Sequence, residues 1–206
     1  MSGSERVLRR RGLLAAAMAL PLAALGLSGC GSTAAKNDTY DLSASAVTTS
    51  APAASRRQIL VPDPTALKAL DSEMVLVRVS ASEVQYLSKS QWSDKLPRMV
   101  QSKLVEAFEN TGKLGGVGKP GQGLAIDYQL ITDIRAFEID TSGADRAVVE
   151  ISVKILNDRN GSISAQKVFQ ATVPSHGSEN SAYIAALDSA FAAVTGEIVA
   201  WTLNAI

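Results

Sequence analysis

The sequence predicts an α/β fold: two helices packed on a mixed, mostly antiparallel sheet, an α/β sandwich built as a single domain. Three patterns carry that expectation. Leu96, Met99, Val100, Leu104, Ala107 and Phe108 recur at three- and four-residue spacing, the stripe of an amphipathic helix. Ile184, Leu187, Phe191, Val194, Ile198 and Trp201 repeat that spacing near the end of the chain. Between them, Tyr128, Leu130 and Ile134, and then Val149, Ile151, Val153 and Ile155, alternate with polar residues as half-buried strands do.

In chain order, residues 1–29 read as a lipoprotein signal peptide rather than as part of the fold. Arg6, Arg9, Arg10 and Arg11 form a basic start, Gly12 to Leu27 carries no charge, and Leu27-Ser28-Gly29-Cys30 is a lipobox. Small residues before the cysteine suit the peptidase, so cleavage is expected between Gly29 and Cys30. The Cys30 thiol would take the diacylglyceryl group. The apolar run is short for a membrane span and contains Pro21. Arg10-Arg11 leaves general secretion and twin-arginine export both open. Gly31 is not the aspartate that tends to retain lipoproteins at the inner membrane, so an outer-membrane anchor facing the periplasm is expected. Diacylglyceryl and acyl groups (palmitate among them) on Cys30 are then the only non-protein groups, with no cofactor and no metal.

Residues 30–55, rich in Ser, Thr and Ala, read as a tether, with a short strand near 39–43. The periplasmic domain is expected over residues 56–206. Ile59-Leu60-Val61 is a strand stopped by Pro62-Asp63-Pro64, and Met74 to Ser80 is a central strand apolar on both faces apart from Arg78. Val84 starts another strand, which carries Tyr86 and Trp92 into the first helix. Ser93 or Asp94 is expected to cap that helix, Pro97 sits in its first turn and Gly112 stops it. Asn160-Gly161 is expected to supply the positive-φ pair of a hairpin turn, followed by a strand from Ile163 to Val173. The last helix is expected from Asn180 to Leu203.

Composition excludes several functions. Of 20 basic and 20 acidic residues, removal of residues 1–29 takes four arginines and Glu5, leaving 16 and 19 and a net charge of −3. That balance carries no basic footprint for nucleic acid or for an anionic membrane surface. With its one cysteine lipidated, the body must be held together by its core. GKLGGVGKPGQG, residues 112–123, fails as a phosphate loop. Lys113 falls at the first required glycine, Pro120 replaces the Ser or Thr, and the loop follows a helix. It is read as a flexible surface connector. His176, the single histidine, lies in a Pro-Ser-His-Gly-Ser loop beside Ser175 and Ser178, without a nucleophile elbow. Asp127 and Asp133 fall on the solvent side of their strand pattern. No enzyme is expected.

An ordered set of segments after the lipobox resembles a family. These are Tyr40-Asp41-Leu42, Val61-Pro62-Asp63-Pro64, Leu70-Asp71 before Met74–Arg78, Tyr86 ahead of Trp92, Trp92-Ser93-Asp94-Lys95-Leu96-Pro97-Arg98-Met99-Val100 into Leu104, and Tyr128-Gln129-Leu130 to Phe137. The chain is similar to the ABC-type transport auxiliary lipoproteins, partners of mammalian-cell-entry (MCE) lipid transporters. The resemblance implies docking of a periplasm-spanning MCE protein, with its permease and ATPase, at the outer membrane. Tyr86 and Trp92 are the candidate partner-binding residues, and self-association stays open. The alternative is a structural lipoprotein supporting a β-barrel assembly, as in lipopolysaccharide export.

Overall fold

The computed structural model describes residues 36–43, 49–51, 53–123 and 125–206. Its spine is β7 (Tyr128–Asp140), a long strand that starts amphipathic and ends buried. On one side β7 pairs antiparallel along its whole length with β8 (Arg146–Asn157), which pairs in turn with β9 (Ser162–Pro174). On the other side three short strands dock in succession, all parallel to it. β2 (Ala54–Leu60) meets Tyr128 and Gln129, β3 (Thr65–Ala66) meets Asp133 and Ile134, and β4 (Met74–Arg78) meets Glu138 to Asp140. β5 (Val84–Trp92) is antiparallel to β4, β1 (Asp38–Tyr40) is parallel to β5, and β6 (Leu114–Gly118) is parallel to β2. The described residues thus form one nine-stranded mixed sheet. Its long ladders are antiparallel, as the alternating patterns require.

Two helices cover one face. α1 (Leu96–Asn110) and α2 (Asn180–Ala205) pack beside each other, with α2 across β8 and β9. Ala147, Val149, Ile151, Val153 and Ile155 of β8 are all buried on that face. Phe137 joins the layers: its ring stands edge-on to Trp92 at 5.8 Å and tilts against Phe191 of α2 at 5.7 Å. Farther along, Trp201 meets Phe169 of β9 at 5.5 Å. α2 is long and apolar enough to match a membrane span, yet its stripe from Tyr183 to Leu203 is seated on the sheet.

Several local expectations are corrected. Neither Ser93 nor Asp94 caps α1; Lys95 takes that position without a side-chain bond. The Leu96 N–H instead donates to the Ser72 carbonyl at 3.0 Å, because the chain before β4 crosses the helix start. Asp94 accepts from the Lys95 N–H. Gly112 does stop the helix, at φ +61°. The glycine-rich stretch is not a connector throughout: Leu114–Gly118 is an edge strand seated on β2. Glycine's weak strand preference hid it, and pairing with a formed neighbour overrides propensity. In the hairpin turn only Gly161 has positive φ, not Asn160.

The proposed tether also shortens. Tyr40 and Leu42 pack on the core, with Leu42 fully buried. The Ser93 N–H donates to the Tyr40 carbonyl at 2.8 Å, and Asp188 of α2 accepts both the Ser43 amide and its hydroxyl. Ala51 is buried as well.

Candidate functional site

The face of the sheet away from the helices is where the unusual side chains gather. Pleating sends alternate residues to opposite sides, so the partners of Phe137 and Ile139 look to the helices and their neighbours look away. One row runs across five strands as Tyr86, Leu76, Glu138, Val148 and Thr172. The next runs as Val84, Arg78, Asp140, Arg146 and Pro174. Val84, Tyr86 and Val168 are exposed large apolar side chains on this face. Tyr86 is 46% exposed.

Beside Tyr86 and Val84 the charges are fixed in place. The Arg78 guanidinium clasps Glu138 with two bonds, from Nε at 2.5 Å and Nη2 at 3.0 Å. Glu138 is largely buried, and its hydrogen bond raises the Arg78 pKa against the cost of desolvation. Arg146 donates from Nε and Nη2 to Asp140 Oδ2 at 3.0 and 2.7 Å. The Ser142 hydroxyl and amide also donate to Asp140 Oδ1. The Ser142 bonds first, and then Arg146, pull the Asp140 carboxyl down to about 2. The result is a charge-neutral, hydrogen-bonded floor next to an exposed ring. That arrangement suits contact with another protein, where aromatic anchors beside satisfied polar groups dominate binding.

The five-residue strand β4 and the long β5 place this patch. β5 makes a wide bulge: Tyr86 faces Leu76 and Gln91 faces Met74, leaving Leu87 to Ser90 opposite Val75. Lys89 in the bulge takes a left-handed φ of 56°. Asn180 at the start of α2 pins it, donating to Ser88 O and Ser90 Oγ at 2.9 and 2.7 Å. The bulge re-aims the strand between its two aromatic residues.

Of the residues picked out in the sequence, Gly29 and Cys30 lie outside the described ones. Tyr86 is on the open face, but Trp92 is not available to a partner. It is 1% exposed, because it fills the space between β5 and Phe137. The two therefore do not act together. His176 is exposed in its loop, and the Ser175 hydroxyl donates to the Gly177 carbonyl at 2.6 Å. Asp133 is half-exposed at the side chain, bonded by the Thr65 hydroxyl. Asp127 departs from the pattern. It is buried, accepting from the Gln58 amide at 3.0 Å and from Arg159 Nη2 at 2.6 Å. Those bonds, the Gln58 amide foremost, hold its pKa low against desolvation. It ties the β8–β9 hairpin to β2. Sequence reasoning missed Arg78, Glu138, Asp140 and Arg146, although Arg78 stood out as one charge in an apolar run.

A shallow polar depression of about 190 Å³ lies at the start of α1, lined by Asp41, Ser93, Arg98, Met99 and Lys103 among others.

Comparison with known proteins points to one family. Protein XCC0632 from Xanthomonas campestris, known from its crystal structure, is similar at 30% identity and a TM-score of 0.75, covering 81% of this chain and 94% of that one. The hypothetical protein CT253 from Chlamydia trachomatis shares the fold at a TM-score of 0.54 and 10% identity, over 73% of this chain and 97% of that one. The uncharacterized protein bll6063 of Bradyrhizobium diazoefficiens is 30% identical over 148 residues, 72% of this chain. The matched region spans 40% of that relative's length. The family model for the ABC-type transport auxiliary lipoprotein component matches residues 40–199, from β1 to the last turns of α2. The chain belongs to that family of transport auxiliary lipoproteins.

Proposed function

We propose that this lipoprotein is the outer-membrane dock for a periplasm-spanning MCE protein, in an ABC-driven system that moves lipids between the two membranes of a diderm bacterium. The family match over residues 40–199 is the observation that carries the reading. The lipobox at Leu27–Cys30, followed by Gly31, supports an acyl anchor on Cys30 in the outer membrane. The neutral, hydrogen-bonded floor around Arg78 and Asp140, with Tyr86 and Val84 beside it, supports a protein partner on the open face.

The test is affinity capture of the full, tagged chain from detergent-solubilised envelopes, with co-purifying proteins identified by mass spectrometry. An MCE protein with its permease and ATPase is the expected catch. Tyr86→Ala should cut its recovery roughly tenfold, the effect of losing about 1.4 kcal/mol of binding. Capture of a β-barrel assembly without these components would overturn the reading in favour of an assembly scaffold.

A further inference from the structure

β1 fixes where the amino-terminal chain leaves the domain. It pairs parallel with β5, Asp38 beside Ser90, so the residues before it head for the Val84 end of β5. Asn37 is tied to β5 as well, its side-chain amide donating to Gln91 at 3.1 Å. The Val84 end is one pole of the sheet. Arg78, Asp140, Arg146 and Pro174 stand level there, and the loops 79–83, 141–145 and 175–179 close it. Those loops are laced together. The Thr141 amide donates to the Arg78 carbonyl at 2.9 Å, the Ser175 amide to the Asp145 carbonyl at 2.9 Å, and the Tyr183 hydroxyl to the Asp145 carboxylate at 2.5 Å.

We propose that this pole rests on the headgroups of the membrane that holds Cys30, and that those headgroups are zwitterionic phospholipids. The inference rests on the acyl anchor proposed above. Direction and length select the membrane as the occupant. Gln91 stands level with Met74, two residues short of Leu76, and Leu76 pairs Glu138 of β7. Asp38, beside Ser90, is therefore nearly level with Phe137, about nine residues or ~30 Å from Tyr128 at the far pole. The hairpin turn at Asp158–Asn160 stands beyond Tyr128. With the far pole on the bilayer, Asp38 would be farther off than the chain from Cys30 extends at ~3.5 Å per residue. Inversion is thus excluded, and the exit direction brings the Val84 pole down instead.

The chemistry of the pole selects headgroups over acyl chains. None of the exposed large apolar side chains falls in its three loops. Ala81, Ser82, Gly143, Ala144 and Ser178 are exposed and small, so the loop backbones can approach phosphates closely and the Ser82 and Ser178 hydroxyls can donate to them. The surrounding charges carry no cationic excess, since exposed Lys36 and Lys89 are answered by Asp38, Glu83 and Glu179. Such a surface gains nothing from anionic lipid. The strands then stand upright on the bilayer and carry the Asp158–Asn160 turn ~40 Å away from it.

Quenching in vesicles tests the orientation, using the full, acylated chain in phosphatidylethanolamine–phosphatidylcholine liposomes with or without a nitroxide on the headgroup. Acylation occupies the thiol of Cys30, the single native cysteine, so a bimane on one introduced cysteine reports that site alone. Ser82→Cys and Ala144→Cys, in two loops of the pole, should lose most of their fluorescence to the nitroxide. Asn160→Cys at the far pole, Val168→Cys on the open face and Ala193→Cys on the outer side of α2 should keep theirs. All five positions are exposed, so the core is left intact. Flotation of the vesicles is read in parallel. A chain that does not float lacks the anchor, which overturns the acyl reading and the orientation together. A chain that floats without quenching at Ser82 and Ala144, or with equal quenching at Asn160, Val168 or Ala193, overturns the orientation alone. Stronger quenching at the pole when phosphatidylglycerol replaces the zwitterionic lipids would overturn the choice of headgroup.

Discussion

The two faces of the sheet meet the burial problem with opposite chemistry. On the helix side, β8 presents Ala, Val and Ile to α2, and three aromatic rings from β5, β7 and α2 lock the layers. On the open side, the same strands present Glu138, Asp140, Arg78 and Arg146, neutralised in pairs and largely screened from water at the carboxylates. The first face gains its stability from apolar area removed from water. The second gains little net energy from ion pairing but fixes side-chain positions around exposed Tyr86 and Val84. Apolar burial is concentrated on one side, and the other is left open for the proposed partner.

Substitutions should separate the two. Phe137→Ala removes the ring that touches both Trp92 and Phe191, and should cost about 3–5 kcal/mol in urea unfolding. A loss under about 1 kcal/mol would mean that the layers are not joined there. Glu138→Ala strands the Arg78 guanidinium and should cost about 2 kcal/mol by the same measurement.

Acid should act on the open face. Asp140 is held at about 2 against an ordinary 3.8, so the folded state favours its ionised form. That stabilisation is complete above the ordinary carboxylate value and is lost as pH falls from about 4 through 2, worth on the order of 1–2 kcal/mol. Urea midpoints measured across that range should fall less steeply in Asp140→Asn than in the wild type. Tyr86→Ala should be the mildest, moving stability by no more than about 0.5 kcal/mol because its ring is half in solvent. A larger loss in calorimetry would make Tyr86 a packing residue and withdraw it from the docking surface.

α1 and β8 were legible because each has a clean period in hydrophobicity over many residues, and α2 because it is one long, predominantly apolar run. β6 was not, since a strand of Leu, Gly, Gly, Val and Gly has almost no side chains to set a period. Asp127 fits the exposed side of an alternating pattern, yet is buried by Gln58 and Arg159, residues distant in sequence. Trp92 and Tyr86 lie six positions apart, which alternation would put on one face. The bulge at Leu87–Ser90 breaks that parity, and nothing in those residues announces it. The open-face ion pairs join positions 60 apart in the case of Arg78 and Glu138, a relation carried by the parallel pairing of β4 with β7.

The short strand β1 has a mechanical meaning for a lipid-anchored chain. Docking of Asp38–Tyr40 on β5 fixes the leash at its far end, so the reach from the anchor proposed at Cys30 is set by Gly31 to Asp38 and not by the whole span to Ser55. At ~3.5 Å per extended residue that leash is no longer than about 28 Å, against close to 90 Å for residues 31–55. With that anchor in place the domain would be moored within a few nanometres of the bilayer, and in the proposed transport system the remaining distance to the other membrane would fall to the partner.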